Sequence, residues 1–378
     1  MDFALNEEME MIRDSAREYA ERALKPHAAS LDAAEEFPTA AIQEAAEAGF
    51  LGLTVPEEYG GAGLGNMHAA ILLEEVNRWD PSVGVTISVH MSLSCSCINK
   101  WGSPEVKAKY LPKLATGELL GAYCLTEPGA GSDAGSMRTR AVKVDGGWKI
   151  TGTKSWITTG PQAGLYIVYA VTDPEGRRGG NIGAFLVERT MEGVTVGKKE
   201  IKLGLRGSST TEMIFDEVFV PDENLMGDGL NGFKIALDTL DGGRIGIAAQ
   251  SLGIHRACLE ESVKYSKERE QFGRPIGEFQ GIAWKLADMA TSLEANRMLV
   301  WHAAWLRDSG QPCTKQCSMA KLAASRACNT AAQEAVQIHG GAGYTKEFPV
   351  ERHYRDARIT EIYEGATDIQ RLVISRHL

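Results

Sequence analysis

Near the C-terminus, Ile362-Tyr363-Glu364-Gly365 sets a single carboxylate between an aromatic ring and a glycine, directly before a helix start. Desolvation by such neighbours lifts a carboxyl pKa toward the range of a general base. Gly365, without a Cβ, lets a ligand come close to the backbone. The start itself is Thr367-Asp368-Ile369-Gln370, which reads as a Ser/Thr-x-x-Gln capping box running into Leu372, Val373 and Ile374. On its own, a glutamate here is a solvated partner of the helix dipole, so its reading depends on the rest of the chain. Two patterns bear on it. Tyr123-Cys124-Leu125-Thr126-Glu127-Pro128-Gly129-Ala130-Gly131-Ser132-Asp133 is a strand leading into a loop rich in glycines and hydroxyls. Such a loop offers N–H and O–H donors to a polar ligand, although alone it is also an ordinary turn. Lys154-Ser155-Trp156-Ile157-Thr158-Thr159-Gly160 places an indole and a hydroxyl two residues apart, on one strand face. That pair suits a flat heteroaromatic ring, although a lone strand tryptophan belongs as readily to a core.

The elements that must position these residues fall into three zones. Up to about residue 120 the spacing predicts helices, for example over 7–23, 40–48 and 69–78, interrupted by a Pro56 and glycine-rich loop at 60–65. From 121 to 227 strands are expected at 142–144 and 148–151, joined by an Asp145-Gly146-Gly147 turn, and at 166–171, 182–187 and 212–220. From 232 to the end helical spacing returns, for example over 248–267, 279–306 and 317–338. Domains are therefore expected at 1–120 (all-α), 121–227 (β) and 228–378 (helical). Strands grouped between helical zones disfavour a doubly wound sheet. In Gly129-Ala130-Gly131-Ser132-Asp133-Ala134-Gly135 the last glycine falls one place too late for a dinucleotide fingerprint. There is no P-loop, HExxH or G-x-S-x-G motif.

Composition narrows the class. A chain of 378 residues with 43% hydrophobic and 24% charged residues is an ordinary globular protein of two or three domains. A net charge of −10 and a pI near 5.4 argue against nucleic acid and anionic membrane as partners. Seven cysteines without CxxC pairs suit free thiols in a reducing compartment, and Cys313-x3-Cys317 lacks the second pair a metal site needs. No metal site is expected. The uncharged run 81–99 reads as a buried helix rich in small residues rather than a membrane span, and residues 1–22 lack the apolar core of a signal peptide. A bacterial cytoplasmic home is expected, or a mitochondrial matrix one if a presequence has been removed.

Taken together, Leu125-Thr126-Glu127-Pro128-x-Ala130-Gly131-Ser132-Asp133 and Trp156-Ile157-Thr158 resemble the flavin-binding pair of the acyl-CoA dehydrogenase family. Three further blocks match in order: Glu268-Arg269-x-Gln271-Phe272-Gly273-Arg274-Pro275-Ile276, Gln337-Ile338-His339-Gly340-Gly341-x-Gly343-Tyr344, and Arg355-Asp356-x-Arg358-Ile359 through Gly365. Thr239-Leu240-Asp241-Gly242-Gly243-Arg244-Ile245-Gly246 is most similar to the short-chain, butyryl-CoA-type members.

The resemblance implies a helical N-terminal domain, a middle β-sheet or barrel domain and a C-terminal four-helix bundle. It implies an FAD enzyme that converts an acyl-CoA of short to medium chain into the trans-2-enoyl-CoA and passes electrons to electron-transferring flavoprotein. Tyr123, Leu125, Thr126, Gly131, Ser132, Trp156, Ile157 and Thr158 would hold the isoalloxazine. Arg269, Gln280, Gln337, Ile338, His339, Gly340 and Gly341 would hold the pyrophosphate and adenosine of a neighbouring subunit's FAD, which implies a homotetramer. Ala366, Thr367 and Asp368 match cofactor contacts by position, but the family's usual Glu-Gly-Thr is here Glu364-Gly365-Ala366, so a hydroxyl is missing. Ser132, Asp241, Gly242, Gly243, Arg244 and Gly365 would contact substrate, Arg244 suiting the anionic end of CoA. Glu364 would be the base, since the alternative family position is Gly243 here. An O2-using oxidase of the same fold and a non-catalytic acyl-CoA-binding paralogue are the competing readings.

Overall fold

The computed structural model describes residues 4–176 and 179–378; the few other residues of the expected zones lie outside it. The N-terminal part is helical: α1 (Glu7–Tyr19), α2 (Ala28–Ala34), α3 (Thr39–Glu47), α4 (Asn66–Asn77), α5 (Pro81–Ser88), α6 (Ser96–Trp101) and α7 (Pro104–Ala115). Capping residues fix the starts. The Asn6 side chain accepts from the Met9 N–H, Asp80 from Ser82 and Val83, and Ser103 from Val106, with proline at the first position of α5 and α7. The predicted helix at 7–23 passes from α1 into a π-helical turn, Ala20–Leu24, and a second π turn, Val89–Cys95, joins α5 to α6. The uncharged run thus forms one continuous helix, Pro81–Trp101. It is long and apolar enough to cross a membrane, but 89% of its most apolar window is buried inside the protein.

The middle part holds β1 (Gly121–Cys124), β2 (Arg140–Val144), β3 (Gly147–Thr158), β4 (Leu165–Val171), β5 (Ile182–Glu188), β6 (Val194–Lys199), β7 (Thr210–Pro221) and β8 (Leu225–Met226). They form an eight-stranded sheet in the order β6-β7-β3-β2-β4-β5-β8, with β1 parallel to β4. The predicted hairpin pairs Val144 with Gly147 around Asp145-Gly146, with Gly146 at φ 72° as a tight turn requires. Alternation along β4 explains its wholly apolar sequence. Tyr166, Val168 and Ala170 pack with Phe185 and Phe215 within the β part, and Ile167 and Tyr169 pack toward Val85, Leu93 and Ile98 of the helical part.

The C-terminal part comprises α8 (Gly232–Glu268), the short hairpin β9 (Glu270–Gln271) and β10 (Arg274–Pro275), α9 (Gln280–Asp308), α10 (Thr314–His339), α11 (Val350–Ala357) and α12 (Thr367–Ser375). The helical pattern expected from 232 appears as α8, which runs straight through Gly242-Gly243 and Gly246. Glycines cost about 1 kcal/mol each inside a helix. Close packing overrides that cost: a Cβ on Gly246 would lie 2.2 Å from Ser88 Oγ, so α8 reaches the Pro81–Trp101 helix only because Gly246 has none.

The expected capping box does not form. The first residue before α12 is Ala366, without a side-chain cap, and the Gln370 amide donates to the carbonyls of Gly365 (2.7 Å) and Glu364 (3.3 Å). Two consecutive left-handed residues, Glu364 at φ 50° and Gly365 at φ 95°, turn those carbonyls toward Gln370 in place of the helix-cap N–H.

Candidate active site

Glu364 hangs from a loop between α11 and α12, entered by a 3-10 turn, Arg358–Glu361. The residue as a whole is half-buried, but both carboxylate oxygens are out of reach of water and neither has a hydrogen-bond partner among the described residues. The left-handed backbone turns the side chain onto α8, where it fills the place of a missing side chain. A Cβ on Gly243 would lie 2.0 Å from Glu364 Oε2 and 2.8 Å from Leu93 Cδ2. Burial pushes the Glu364 carboxyl up to about 7, against the opposing pull of Lys321 and Arg244. Tyr363, packed in the apolar cluster with Leu93 and Tyr123, donates its hydroxyl to Gln250 Oε1. Gln250 in turn donates to the Pro81 carbonyl (3.1 Å), tying the loop to α8 and α5. A carboxylate poised near neutrality, desolvated and free of protein donors can take a proton from a weakly acidic carbon.

The two ring-binding patterns are stitched together. The Ser155 N–H donates to Thr126 O (2.8 Å) and Lys154 Nζ to Leu125 O (3.1 Å). Glu127 accepts from the N–H groups of Arg138 (2.6 Å) and Thr139 (2.9 Å) and from Lys154 Nζ (2.8 Å). These bonds hold Glu127 charged despite burial and fold the glycine-rich loop back on β3. A bulge between Lys154 and Ile157, with Trp156 at φ 61°, leaves the Trp156 indole 60% exposed and Thr158 half-exposed, while Ile157 points into the core. The outward pair expected from strand alternation is present, re-aimed by the bulge. An exposed indole beside the Thr126 and Thr158 hydroxyls fits a flat, nitrogen-bearing ring such as a flavin, so the residues present suit FAD.

Arg269, Gln280 and the 337–341 segment gather elsewhere, where α8 ends, α9 begins and α10 ends. Gln280 and Arg269 are exposed, whereas Ile338 and His339 are buried and His339 stacks on Tyr265 at 4.2 Å. The side chains of Ile338 and His339 therefore serve packing, and only their backbone remains for a ligand. Thr367 donates its hydroxyl to Glu361 O (3.3 Å), so it neither caps α12 nor replaces the hydroxyl missing at Ala366. Asp368 is exposed and pairs with Arg371 at 2.7 Å.

On α8, Asp241, Gly242, Gly243 and Arg244 are all buried. Arg244 is held within the protein itself. Its guanidinium donates to Asp241 Oδ1 (2.7 Å) and Ser318 Oγ (3.4 Å), and Thr314 holds the other Asp241 oxygen at 2.6 Å. An Asp three residues before an Arg lies on the same helix face, which brings the two together. Ser132 is exposed on the glycine-rich loop.

Several residues around Glu364 escaped the sequence reading. Lys321 Nζ donates to Gly365 O (2.8 Å), Gln370 to the same oxygen, and Gln250 to the loop's anchor. The signal was present for Lys321. It shares the spacing of Cys317, Ala320, Ala324 and Cys328, the buried face of α10, where a lysine is out of place.

Three family models cover the chain: the acyl-CoA dehydrogenase N-terminal domain over residues 6–118, the middle domain over 122–218 and the C-terminal domain over 231–378. The chain is 50% identical to an acyl-CoA dehydrogenase of Bacillus subtilis over 374 residues, 99% of this chain and 98% of that protein. It superposes on butyryl-CoA dehydrogenase from Megasphaera elsdenii with a TM-score of 0.98 at 42% identity, covering 100% of this chain and 99% of that one. A chain in a structure described for the electron transferring flavoprotein of Acidaminococcus fermentans also superposes at 0.98, with 46% identity and the same coverage. With the three-domain order, the paired ring-binding segments and the desolvated carboxylate in one molecule, the chain belongs to the acyl-CoA dehydrogenase family and is an FAD-dependent oxidoreductase.

Proposed function

We propose that this enzyme dehydrogenates a short, straight acyl-CoA to the trans-2-enoyl-CoA, with Glu364 as the base. The observation that carries the assignment is the unpartnered, desolvated Glu364 carboxylate lodged against the bare backbone of Gly243. The carboxylate accepts the α-proton while the β-hydrogen leaves as hydride and a carbon–carbon double bond forms between them. FAD, when bound, supplies the hydride acceptor. Trp156, Thr126 and Thr158 would hold the flavin ring, together with the loop from Leu125 to Ser132. Leu93 and Tyr363 exclude water, which keeps the base strong and fixes the thioester in a reactive position.

The likeness to butyryl-CoA dehydrogenase supports a four-carbon acyl chain over an eight-carbon one. Between α4, the Val89–Cys95 turn and α8 lies a cavity of about 20 Å³, bounded by Leu73, Met91, Gly242, Ile245 and Gly246. That holds one water-sized group. Arg269, Gln280 and the 337–341 backbone are too far along the helix bundle to belong to the same ring site, and we assign them to the FAD of a neighbouring subunit. Phe272 (94% exposed) and Trp284 (63% exposed) flank them, an apolar surface that subunit contact in a homotetramer would cover. Electrons then pass to electron-transferring flavoprotein.

Anaerobic addition of butyryl-CoA to the yellow holoenzyme should bleach the flavin band, and octanoyl-CoA should bleach it at least about tenfold more slowly. Bleaching by neither thioester would overturn the assignment, and a faster reaction with octanoyl-CoA would overturn the chain length. Light scattering of the same sample at the mass of a single chain would overturn the tetramer.

A further inference from the structure

Lys321 is fully buried in the middle of α10. Among the described residues no carboxylate stands within ion-pair distance of it, and its one hydrogen bond goes to Gly365 O. Burying an ammonium without a paired anion costs several kcal/mol, so the position calls for a reason. Satisfying the Gly365 carbonyl is not enough, because Gln370 Nε2 already donates to it at 2.7 Å. What Gln370 does not supply is positive charge.

The groups facing Glu364 come from every element packed on it. From α8 there is Arg244, offset by Asp241 at 2.7 Å. The 3-10 turn contributes Glu361, which is paired with Arg358. Tyr363 and Tyr123 are neutral, with hydroxyls whose pKa burial raises. From α12 comes the neutral Gln370 and from α10 comes Lys321. Among the described residues, Lys321 is thus the one cation around the base without a carboxylate at ion-pair distance.

Resting on the assignment of Glu364 as base, we propose that Lys321 is a positioning residue for this reaction. Its ammonium, together with the Gln370 amide, clamps the Gly365 carbonyl so that the left-handed Glu364-Gly365 turn points the carboxylate at Gly243. The same charge favours the ionised form of Glu364 inside an apolar slot. Glu361 and Glu364 in turn support the ammonium, whose own pKa burial pushes down to about 8. Charge and geometry therefore separate: the lysine supplies both, and the glutamine supplies geometry alone.

The test is the pH dependence of flavin reduction by butyryl-CoA in anaerobic rapid mixing, using holoenzyme with measured FAD content. For Lys321→Met the ascending limb should move to higher pH, the rate near pH 6 falling about tenfold more than the rate near pH 9. Lys321→Arg should restore the limb, and Gln370→Met should lower the rate by the same factor at all pH values. A Lys321→Met limb that coincides with the wild-type one, at full FAD content, overturns the proposal. If Lys321→Met does not retain FAD, Gln370→Met and Lys321→Arg still decide: a shifted limb in either, with the charge intact, overturns it. Failure of the wild-type enzyme to be reduced would instead count against the dehydrogenase assignment.

Discussion

Glu364→Gln should retain FAD with an unchanged visible spectrum and lose flavin reduction by butyryl-CoA by about three orders of magnitude. The substitution is isosteric, and the carboxylate it replaces has no protein hydrogen bond to lose, so the fold has little stake in it. The wild-type profile supplies a second signature. The base works as its anion, so the rate should rise with pH through about 7, the value to which burial lifts this carboxyl. That limb should be absent from whatever activity the variant retains. Stability should move the other way. A carboxyl whose pKa is raised on folding binds a proton more tightly in the native state, so wild type loses stability as pH rises from the unfolded value of about 4.5 through about 7. Glu364→Gln should therefore melt at a higher temperature than wild type at pH 8, and the difference should vanish below about pH 4. A variant that reduces its flavin at the wild-type rate would remove Glu364 from the mechanism.

Fold and chemistry were unequally legible in the chain. The helix–sheet–helix order follows from hydrophobic spacing and turn residues, and the strands at 166–171 and 182–187 appear as β4 and β5 almost residue for residue. Burial on both faces makes such strands uniformly apolar, which is a strong local signal. Helical pattern was legible from 232, where α8 begins, but Gly242, Gly243 and Gly246 look like a break, and tertiary contact of Gly243 with Glu364 and of Gly246 with Ser88 explains a helix there. Glu364 itself stood out through its neighbours Tyr363 and Gly365. Its environment did not, because Lys321 lies 43 positions earlier and Gln370 was read as a helix cap; both roles depend on the left-handed turn at 364–365. For Arg244 the motif position was legible, but its ion pair with Asp241 at i, i+3 was not drawn from the sequence.

The pair Glu127 and Lys154 was legible in type but not in function, and it governs how firmly the cofactor loop is held. Both side chains are buried, Lys154 completely, and they join the two segments proposed to hold the flavin ring. Replacing a buried pair outright is often tolerated, but removing one member strands the other charge and costs about 3–5 kcal/mol. Lys154→Met leaves Glu127 with only two backbone donors, and it also releases the Leu125 carbonyl that Lys154 holds at 3.1 Å. The expected result is a large fall in melting temperature, together with FAD lost on dilution and a weakened FAD dissociation constant. Glu127→Gln should be comparably damaging, since it strands a buried ammonium and frees the Arg138–Thr139 turn. The double variant Lys154→Met with Glu127→Gln should lose less than the sum of the two, because neither charge remains to be stranded. FAD fluorescence on dilution and thermal melts of the four proteins read this cycle directly. Strict additivity would mean that the two side chains act independently and that the loop is held by its backbone bonds, Ser155 N–H to Thr126 O foremost among them.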